Sequence, residues 1–211
     1  MGLLCTGAWF HVASAGSRQA YRREAAIERT GEHGRRAIVV GGSGMLAGVA
    51  VALARDGWSV AVLARGRPRL ATLERRHGAI RGVSVDYADA AALERAIAGV
   101  PPADLVVAWI HSTAPDAAGI VARLAARPVA FVHVLGSAAR DPAANPAAAE
   151  IRALAGVDYR EVVLGFVREG GVSRWLTDEE ICGGVLQAIR SGRARSVVGV
   201  LEPWSERPGS T

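Results

Sequence analysis

The sequence predicts an α/β fold: a doubly wound parallel sheet of seven strands with helices on both faces. First, from Ala37 onward, short apolar β-type runs alternate with Ala-rich helical segments. Second, several of these runs are apolar at every position, as expected when helices cover both faces of a parallel sheet. Third, a glycine-rich turn joins the first run to the first helix. We therefore expect residues 36–208 to form a single domain.

The strands and helices follow one another regularly along the chain. The seven expected strands lie at 37–40, 59–64, 80–85, 104–110, 129–135, 161–167 and 196–201. Helical segments lie between them, near 45–55, 67–77, 89–98, 115–126, 143–155 and 178–190. The last helix has the clearest start, because Thr177 and Glu180 have the spacing of a capping box.

Residues 1–35 differ from the rest in composition and predict a disordered or loosely attached N-terminal extension. The first 36 residues hold six Arg against three Glu, whereas the remainder holds nineteen Arg against seventeen acidic residues. Ala13-Ser14-Ala15 imitates a signal-peptidase site, but no charged segment precedes it and His11 interrupts the apolar run. We therefore expect a cytoplasmic protein.

Composition excludes several classes of function. The two cysteines, Cys5 and Cys182, are too few and too distant for a disulfide framework or a structural metal site. Because the excess positive charge is concentrated in the extension, we expect no nucleic-acid partner, and no apolar run is long enough to cross a membrane. The expected partner is a small-molecule substrate, and a homo-oligomer stays an open alternative. All 25 basic residues are Arg, so lysine chemistry is excluded.

The glycine-rich turn predicts a site for a dinucleotide. It reads GxxGxxA from Gly41 and GxGxxA from Gly42, directly after a strand and at the start of a helix. Such glycines allow the backbone and the helix N-terminus to approach a pyrophosphate. The alternative is a tight turn that binds no ligand. The residues expected at the cofactor are Gly41, Gly42, Ser43, Gly44, Met45 and Leu46.

The ends of the second and third strands favour NADP(H) over NAD(H). Arg65 follows the second strand, where an acidic residue would bind the ribose of NAD and an arginine suits a 2′-phosphate. Arg67 and Arg69 either assist Arg65 or are ordinary solvated charges. Asp86 and Tyr87 end the third strand and are expected near the adenine; their alternative is a helix-capping turn.

These residues resemble the short-chain dehydrogenase/reductase superfamily. The resemblance rests on VVGGSGMLAG, VLAR and VDY, and later segments such as VVAWIHSTAP and HVLGSAA resemble small bacterial proteins described as short-chain dehydrogenases. It covers roughly residues 36–208 and implies a Rossmann-type NAD(P)-binding domain with strand order 3-2-1-4-5-6-7. The superfamily's YxxxK pair is missing, since the chain has no Lys. The resemblance therefore points to an atypical branch that lacks this pair.

The candidate catalytic residues follow the fourth, fifth and sixth strands. We expect Tyr159 at the amino edge of the sheet, away from ligands, and reject it as the proton donor. His111 is the imidazole expected near the nicotinamide, and Ser137 stands where the superfamily has its substrate-orienting serine. Arg174 would clamp an anionic group of the substrate, and Ser112 would contact the cofactor. The alternatives are a backbone-bonded His111, a helix cap at Ser112 or Thr113, and a surface charge at Arg174.

Two functions stay open. One is an NADP(H)-dependent oxidoreductase, with NAD as the alternative cofactor, acting on a small carbonyl or imine. The other is a non-catalytic dinucleotide-binding sensor or scaffold, which the missing Tyr-Lys pair favours, because a fold does not by itself confer activity.

Overall fold

The computed structural model describes residues 34–125, 128–145 and 147–209. The predicted extension, residues 1–35, therefore lies almost entirely outside the described residues. The strands are β1 (Arg36–Val40), β2 (Ser59–Ala64), β3 (Ile80–Ser84), β4 (Leu105–Trp109), β5 (Val129–Leu135), β6 (Val157–Leu164), β7 (Phe166–Glu169), β8 (Val172–Trp175) and β9 (Arg195–Val198). The helices are α1 (Ala47–Arg55), α2 (Arg67–Arg76), α3 (Ala90–Ala98), α4 (Ala117–Leu124), α5 (Ala147–Ala153) and α6 (Asp178–Ser191).

The predicted doubly wound sheet is confirmed. Seven strands form one sheet in the order β3-β2-β1-β4-β5-β6-β9, and every neighbouring pair is parallel. The chain first moves outward from β1 to β3 and then returns to β4, beside β1. The strand order therefore reverses between β1 and β4, which opens a crevice at the carboxyl ends of these two strands.

Helices bury both faces of the sheet, as the fully apolar strands predict. In β1, Val39 faces the core under α1, α2 and α6, whereas Ile38 and Val40 face the core under α3, α4 and α5. Successive side chains of a strand point to opposite faces, so a strand covered on both sides must be apolar throughout. None of the helices in the described part of the chain is long and apolar enough to cross a membrane.

The predicted sixth strand, 161–167, is wrong in its bounds. In the structure β6 begins at Val157 and ends at Leu164, and β7 pairs with β8 in an antiparallel hairpin. Gly165 lies between β6 and β7. Only glycine fits there, because a Cβ would lie 2.1 Å from the Val200 carbonyl oxygen. Gly170 and Gly171, both at positive φ, form the two-residue turn of the hairpin. The Gly-Gly pair after an apolar run was the local signal for this turn.

Candidate functional site

The glycine-rich turn, Gly41–Leu46, lies at the crevice and is held by the ends of two strands. Gly41 has a φ of +74°, and a Cβ there would lie 2.3 Å from the Trp109 carbonyl oxygen at the end of β4. Its amide donates to the Leu63 carbonyl of β2 at 2.9 Å. Glycine is therefore required at position 41 by the fold itself, whether or not a ligand binds.

The neighbouring glycines differ in what surrounds them. A Cβ on Gly42 would approach Val39 Cγ1 to 2.7 Å, so the sheet beneath the turn excludes a side chain there. A Cβ on Gly44, by contrast, would meet nothing within 4 Å, and Gly44 is exposed. The packing of the described chain gives no reason for glycine at 44. Open space beside an exposed glycine backbone fits the close approach of a phosphate group.

The start of helix α1 has no acidic side chain, and its first-turn amides have partners within the protein. The Ala47 amide donates to the Gly44 carbonyl at 2.8 Å, and the Gly48 and Val49 amides hydrogen-bond the Cys182 sulfur. The N-cap residue of α1, Leu46, supplies no side-chain hydrogen bond. The early N–H groups of a helix need partners and carry partial positive charge. Behind the turn, the Cys182 thiol of α6 donates to the Met45 carbonyl at 3.1 Å, and burial raises the pKa of this thiol. Cys182 therefore supports the turn as a partly buried packing residue.

Arginines lie beside the turn, as the end of β2 predicts. Arg65 is exposed, and its Nη1 lies 4.0 Å from Asp86 Oδ2. Arg69 and Arg76 of α2 line a cleft of about 320 Å³ together with Ser43 of the glycine-rich turn. Among the described residues, no carboxylate forms an ion pair with Arg69 or Arg76. The cleft can therefore accept an anionic group.

The predicted adenine contacts have local structural partners. Asp86 Oδ1 accepts the Ala88 amide at 3.0 Å, and the half-buried Tyr87 packs against the core under α3, α4 and α5. Asp89, which follows them, caps α3 by accepting the Ala92 amide at 2.9 Å. These contacts match the alternative of a helix-capping turn. Contact of Asp86 and Tyr87 with adenine stays a prediction.

The ends of β4 and β5 meet at Trp109. Its ring lies edge-on to the His111 ring, with 5.7 Å between centroids, and its Cη2 would lie 3.7 Å from a Cβ on Gly136. Ser137 follows Gly136 and begins a four-residue 3₁₀ turn, Ser137–Arg140, which we call the Ser137 turn. Trp109 thus links the strand ends that carry His111 and Ser137. Sequence analysis missed this role, although a large ring at the end of a buried strand was its signal.

The polar residues after β4 are open to solvent. His111, Ser112 and Thr113 are all exposed, and the His111 carbonyl accepts the Ala114 amide at 3.0 Å. Neither Ser112 nor Thr113 caps helix α4, whose N-cap is Asp116. The capping alternative is therefore wrong, and these side chains are accessible to a ligand.

Arg174 already has protein partners. It lies in β8 and makes a bidentate pair with Glu180, at 2.8 and 2.9 Å, with Glu169 at 3.9 Å. This pair and the Thr177 amide lower the pKa of Glu180 to about 2. Arg174 therefore fastens the β7-β8 hairpin to the capping box of α6. Its role as a substrate clamp stays a prediction.

Two further titratable residues are buried away from the strand ends. Tyr159 is the third residue of β6, and its hydroxyl lies 3.0 Å from His133 Nδ1. Burial lowers the pKa of His133 to about 4 and raises the pKa of Tyr159. His133 is thus the core histidine that its place in an apolar strand indicates. Tyr159 pairs with Phe131 near the amino end of β5, not at the carboxyl edge.

Comparison with known proteins identifies the fold. No protein-family model matches the chain, and no curated protein matches it in sequence. A short-chain dehydrogenase/reductase from Vibrio parahaemolyticus is 15% identical with a TM-score of 0.64, over 77% of this chain and 98% of that one. The short-chain dehydrogenase/reductase of Brucella melitensis described as glucose/ribitol dehydrogenase is 15% identical with a TM-score of 0.64, over 78% and 94% of the two chains.

A third similar structure contains a nucleotide. BdcA, solved in complex with NADPH, is 18% identical with a TM-score of 0.58, and the match covers 79% of this chain and 93% of BdcA. Structures at this level of identity share a fold, and a shared fold is compatible with many activities. The chain has the Rossmann-type fold found in short-chain dehydrogenases/reductases.

Proposed function

We propose that this chain binds NADP(H) at the carboxyl edge of its sheet and reduces a small carbonyl or imine. The observation that carries the proposal is the glycine-rich turn with its exposed Gly44, with an arginine-lined cleft directly beside it. Several other residues described above serve the fold itself: Gly41 and Gly42 allow close packing, and Asp89 caps α3. Among the described residues, a Cβ on Gly44 would meet no atom within 4 Å, and neither Arg69 nor Arg76 of the cleft forms an ion pair.

The pyrophosphate would lie at the start of α1. The first turn of this helix has no acidic residue, and the helix dipole favours negative charge there. Gly44 keeps the backbone open on the same side, because no neighbouring atom fills the position of its missing side chain. These residues fit a dinucleotide phosphate and need no rearrangement of the turn.

The adenosine 2′-phosphate would lie between Arg65 and Arg69. The contact of Arg65 with Asp86 is long and solvent-exposed, so breaking it costs little free energy. Ser43 lines the same cleft and adds a hydroxyl donor. Arginine forks suit phosphate oxygens, which supports NADP(H) over NAD(H). The NADPH complex of BdcA, which has the same fold, supports the same choice.

The chemical step would take place between the ends of β4 and β5. The bound nicotinamide supplies a hydride for the carbon of the substrate double bond. The Ser137 hydroxyl would donate a hydrogen bond to the substrate oxygen or nitrogen, and the His111 imidazole would deliver a proton to that atom. Trp109 packs edge-on against the His111 ring and lies beside Gly136, the residue before Ser137.

The first test is calorimetric titration of the chain with NADPH and with NADH. We expect Arg65→Asp to weaken NADPH binding at least about tenfold and to change NADH binding little, since only NADPH has the 2′-phosphate. Arg95→Asp, an exposed arginine on α3, is the matched control and should bind both nucleotides like the parent. Equal loss of NADPH affinity in both variants would contradict the assigned phosphate position.

A non-catalytic dinucleotide sensor is the second candidate. The observation that favours it is the burial of Tyr159 inside β6, together with the lack of Lys in the chain. A panel of small carbonyl compounds with NADPH separates the two candidates. NADPH binding without turnover of any compound supports the sensor. Turnover that His111→Ala and Ser137→Ala abolish, with NADPH binding unchanged, supports the oxidoreductase.

A further inference from the structure

A buried carboxylate lies on β6, the neighbour of the edge strand β9, close to the Ser137 turn. Glu161 of β6 is 1% exposed. Arg152 of α5 approaches its Oε1 at 3.1 Å, and Arg195 of β9 approaches its Oε2 at 2.5 Å. Burial of an ionised carboxylate is unfavourable unless charges and hydrogen bonds compensate it. The two arginines provide that compensation from opposite sides.

Uncharged donors complete the environment of Glu161. Its Oε1 also accepts from Asn145 Nδ2 and from the Tyr159 hydroxyl, each at 3.3 Å. Among the described residues, no buried side-chain polar atom lacks a hydrogen-bond partner. The cluster is therefore fully satisfied, and a satisfied buried polar cluster restricts the arrangement of the segments around it.

Arg195 differs from Arg152 in what its second nitrogen contacts. While Nη1 of Arg195 binds Glu161, its Nη2 donates to the carbonyl oxygens of Ala139 and Arg140, at 2.6 and 3.1 Å. These carbonyls belong to the end of the Ser137 turn. The last carbonyls of a helical turn have no partner within it, so an external donor must satisfy them. Arg152 stacks on the Tyr159 ring and makes no contact with the turn that the structure records.

Further contacts hold the Ser137 turn beside its hydrogen bonds to Arg195. The amide of Ala139 donates to the Gly136 carbonyl at 3.0 Å, so the end of the turn and the residue before Ser137 move together. Arg140 pairs with Glu202 at 2.6 Å and stacks on Trp204 at 4.6 Å. The guanidinium of Arg195 thus links the end of the Ser137 turn to the buried Glu161.

We propose that Arg195, oriented by the buried Glu161, is the positioning residue that fixes the Ser137 turn at the carboxyl end of β5. The proposal deepens the proposed function and rests on it, because it makes the place of the Ser137 hydroxyl depend on an ion pair inside the sheet. The rigid fork of arginine allows this, since its two terminal nitrogens bind the carboxylate and the turn at once. An ammonium group has one nitrogen and cannot hold both partners in the same geometry.

Amide hydrogen exchange across residues 135–141 tests the positioning directly and requires no activity. The variants are Arg195→Met, Arg195→Lys and the matched control Arg152→Met, which removes the other arginine of Glu161. We expect both Arg195 variants to speed exchange in this segment about tenfold or more relative to the control. We expect Arg195→Lys to stay close to the parent in thermal stability, because a positive charge remains beside Glu161. Equal exchange in the Arg195 and Arg152 variants would overturn the proposal.

Kinetics test the functional consequence. With a carbonyl substrate found by the panel, we expect Arg195→Lys to lower kcat several-fold and to leave the Kd for NADPH unchanged, whereas Arg152→Met should keep the parent kcat. An unchanged kcat in Arg195→Lys would overturn the link to Ser137. If the parent chain turns over no compound, the proposed function fails, and the exchange experiment alone decides whether Arg195 positions the turn.

Discussion

Replacing Gly41 with alanine should destabilise the fold before any ligand is considered. The added Cβ would lie 2.3 Å from the Trp109 carbonyl oxygen, roughly 1 Å inside a normal contact, and backbone atoms cannot rotate away. The φ of +74° adds about 1–2 kcal/mol of strain for a residue with a side chain. If the turn moves to relieve the clash, the hydrogen bond from Gly41 to Leu63 is weakened, at about 1 kcal/mol.

These costs exceed the small gain from a less flexible unfolded chain, about 0.4–1 kcal/mol. We therefore expect Gly41→Ala to lower the free energy of unfolding by about 2 kcal/mol, which lowers Tm by roughly 4–8 °C in a domain of this size. Thermal unfolding followed by circular dichroism measures the change in Tm. Gly44→Ala is the matched control, because its Cβ would meet no atom within 4 Å.

The same two variants separate folding from ligand binding. We expect Gly44→Ala to keep the parent Tm and to lose NADPH affinity, because the new methyl group occupies the space left for the phosphate. Equal Tm values for Gly41→Ala and Gly44→Ala would refute the packing argument. Unchanged NADPH binding in Gly44→Ala would refute the placement of the phosphate.

Two further predictions concern stability. Because the pKa of His133 falls from 6.5 to about 4 on folding, the unfolded chain takes up a proton that the folded chain does not, and stability is lost as the pH falls through this window. Between pH 7 and pH 4.5, the free energy of unfolding measured in urea should fall by on the order of 2 kcal/mol. We expect this fall to be smaller in His133→Gln and unchanged in the control His111→Gln. An equal fall in the two variants would contradict this reasoning. In α6, a Cβ on Gly184 would lie 2.4 Å from Val198 Cγ2, whereas one on Gly183 would meet nothing within 4 Å. Gly183→Ala should therefore stabilise the helix by about 0.5–1 kcal/mol and Gly184→Ala should destabilise the protein, with thermal melts of the pair as the measurement.

The elements predicted correctly have local signals. The apolar run of β1 and the capping box of α6 depend on neighbours in the sequence, and both occur where expected. The position of Arg65 at the end of β2 follows from the length of that run. The hairpin at Gly170 and Gly171 also had a local signal, but the apolar run of β6 and β7 was interpreted as one strand. The bend at Gly165 depends on the Val200 carbonyl, 35 positions later, and no local pattern reveals it.

The amino-acid sequence by itself determined the α/β architecture and the glycine-rich turn, because periodic burial and glycine geometry are properties of short segments. The strand order was predicted only from the resemblance to a known superfamily. Tertiary structure alone decided which charged groups meet. Arg174 is bound to Glu180, and Arg195 joins Glu161 to the Ser137 turn across separations of 34 and 56 positions. The register of β6 and β9 places Arg195 opposite Glu161, and a side chain's partners in a sheet depend on strands that are distant in the sequence.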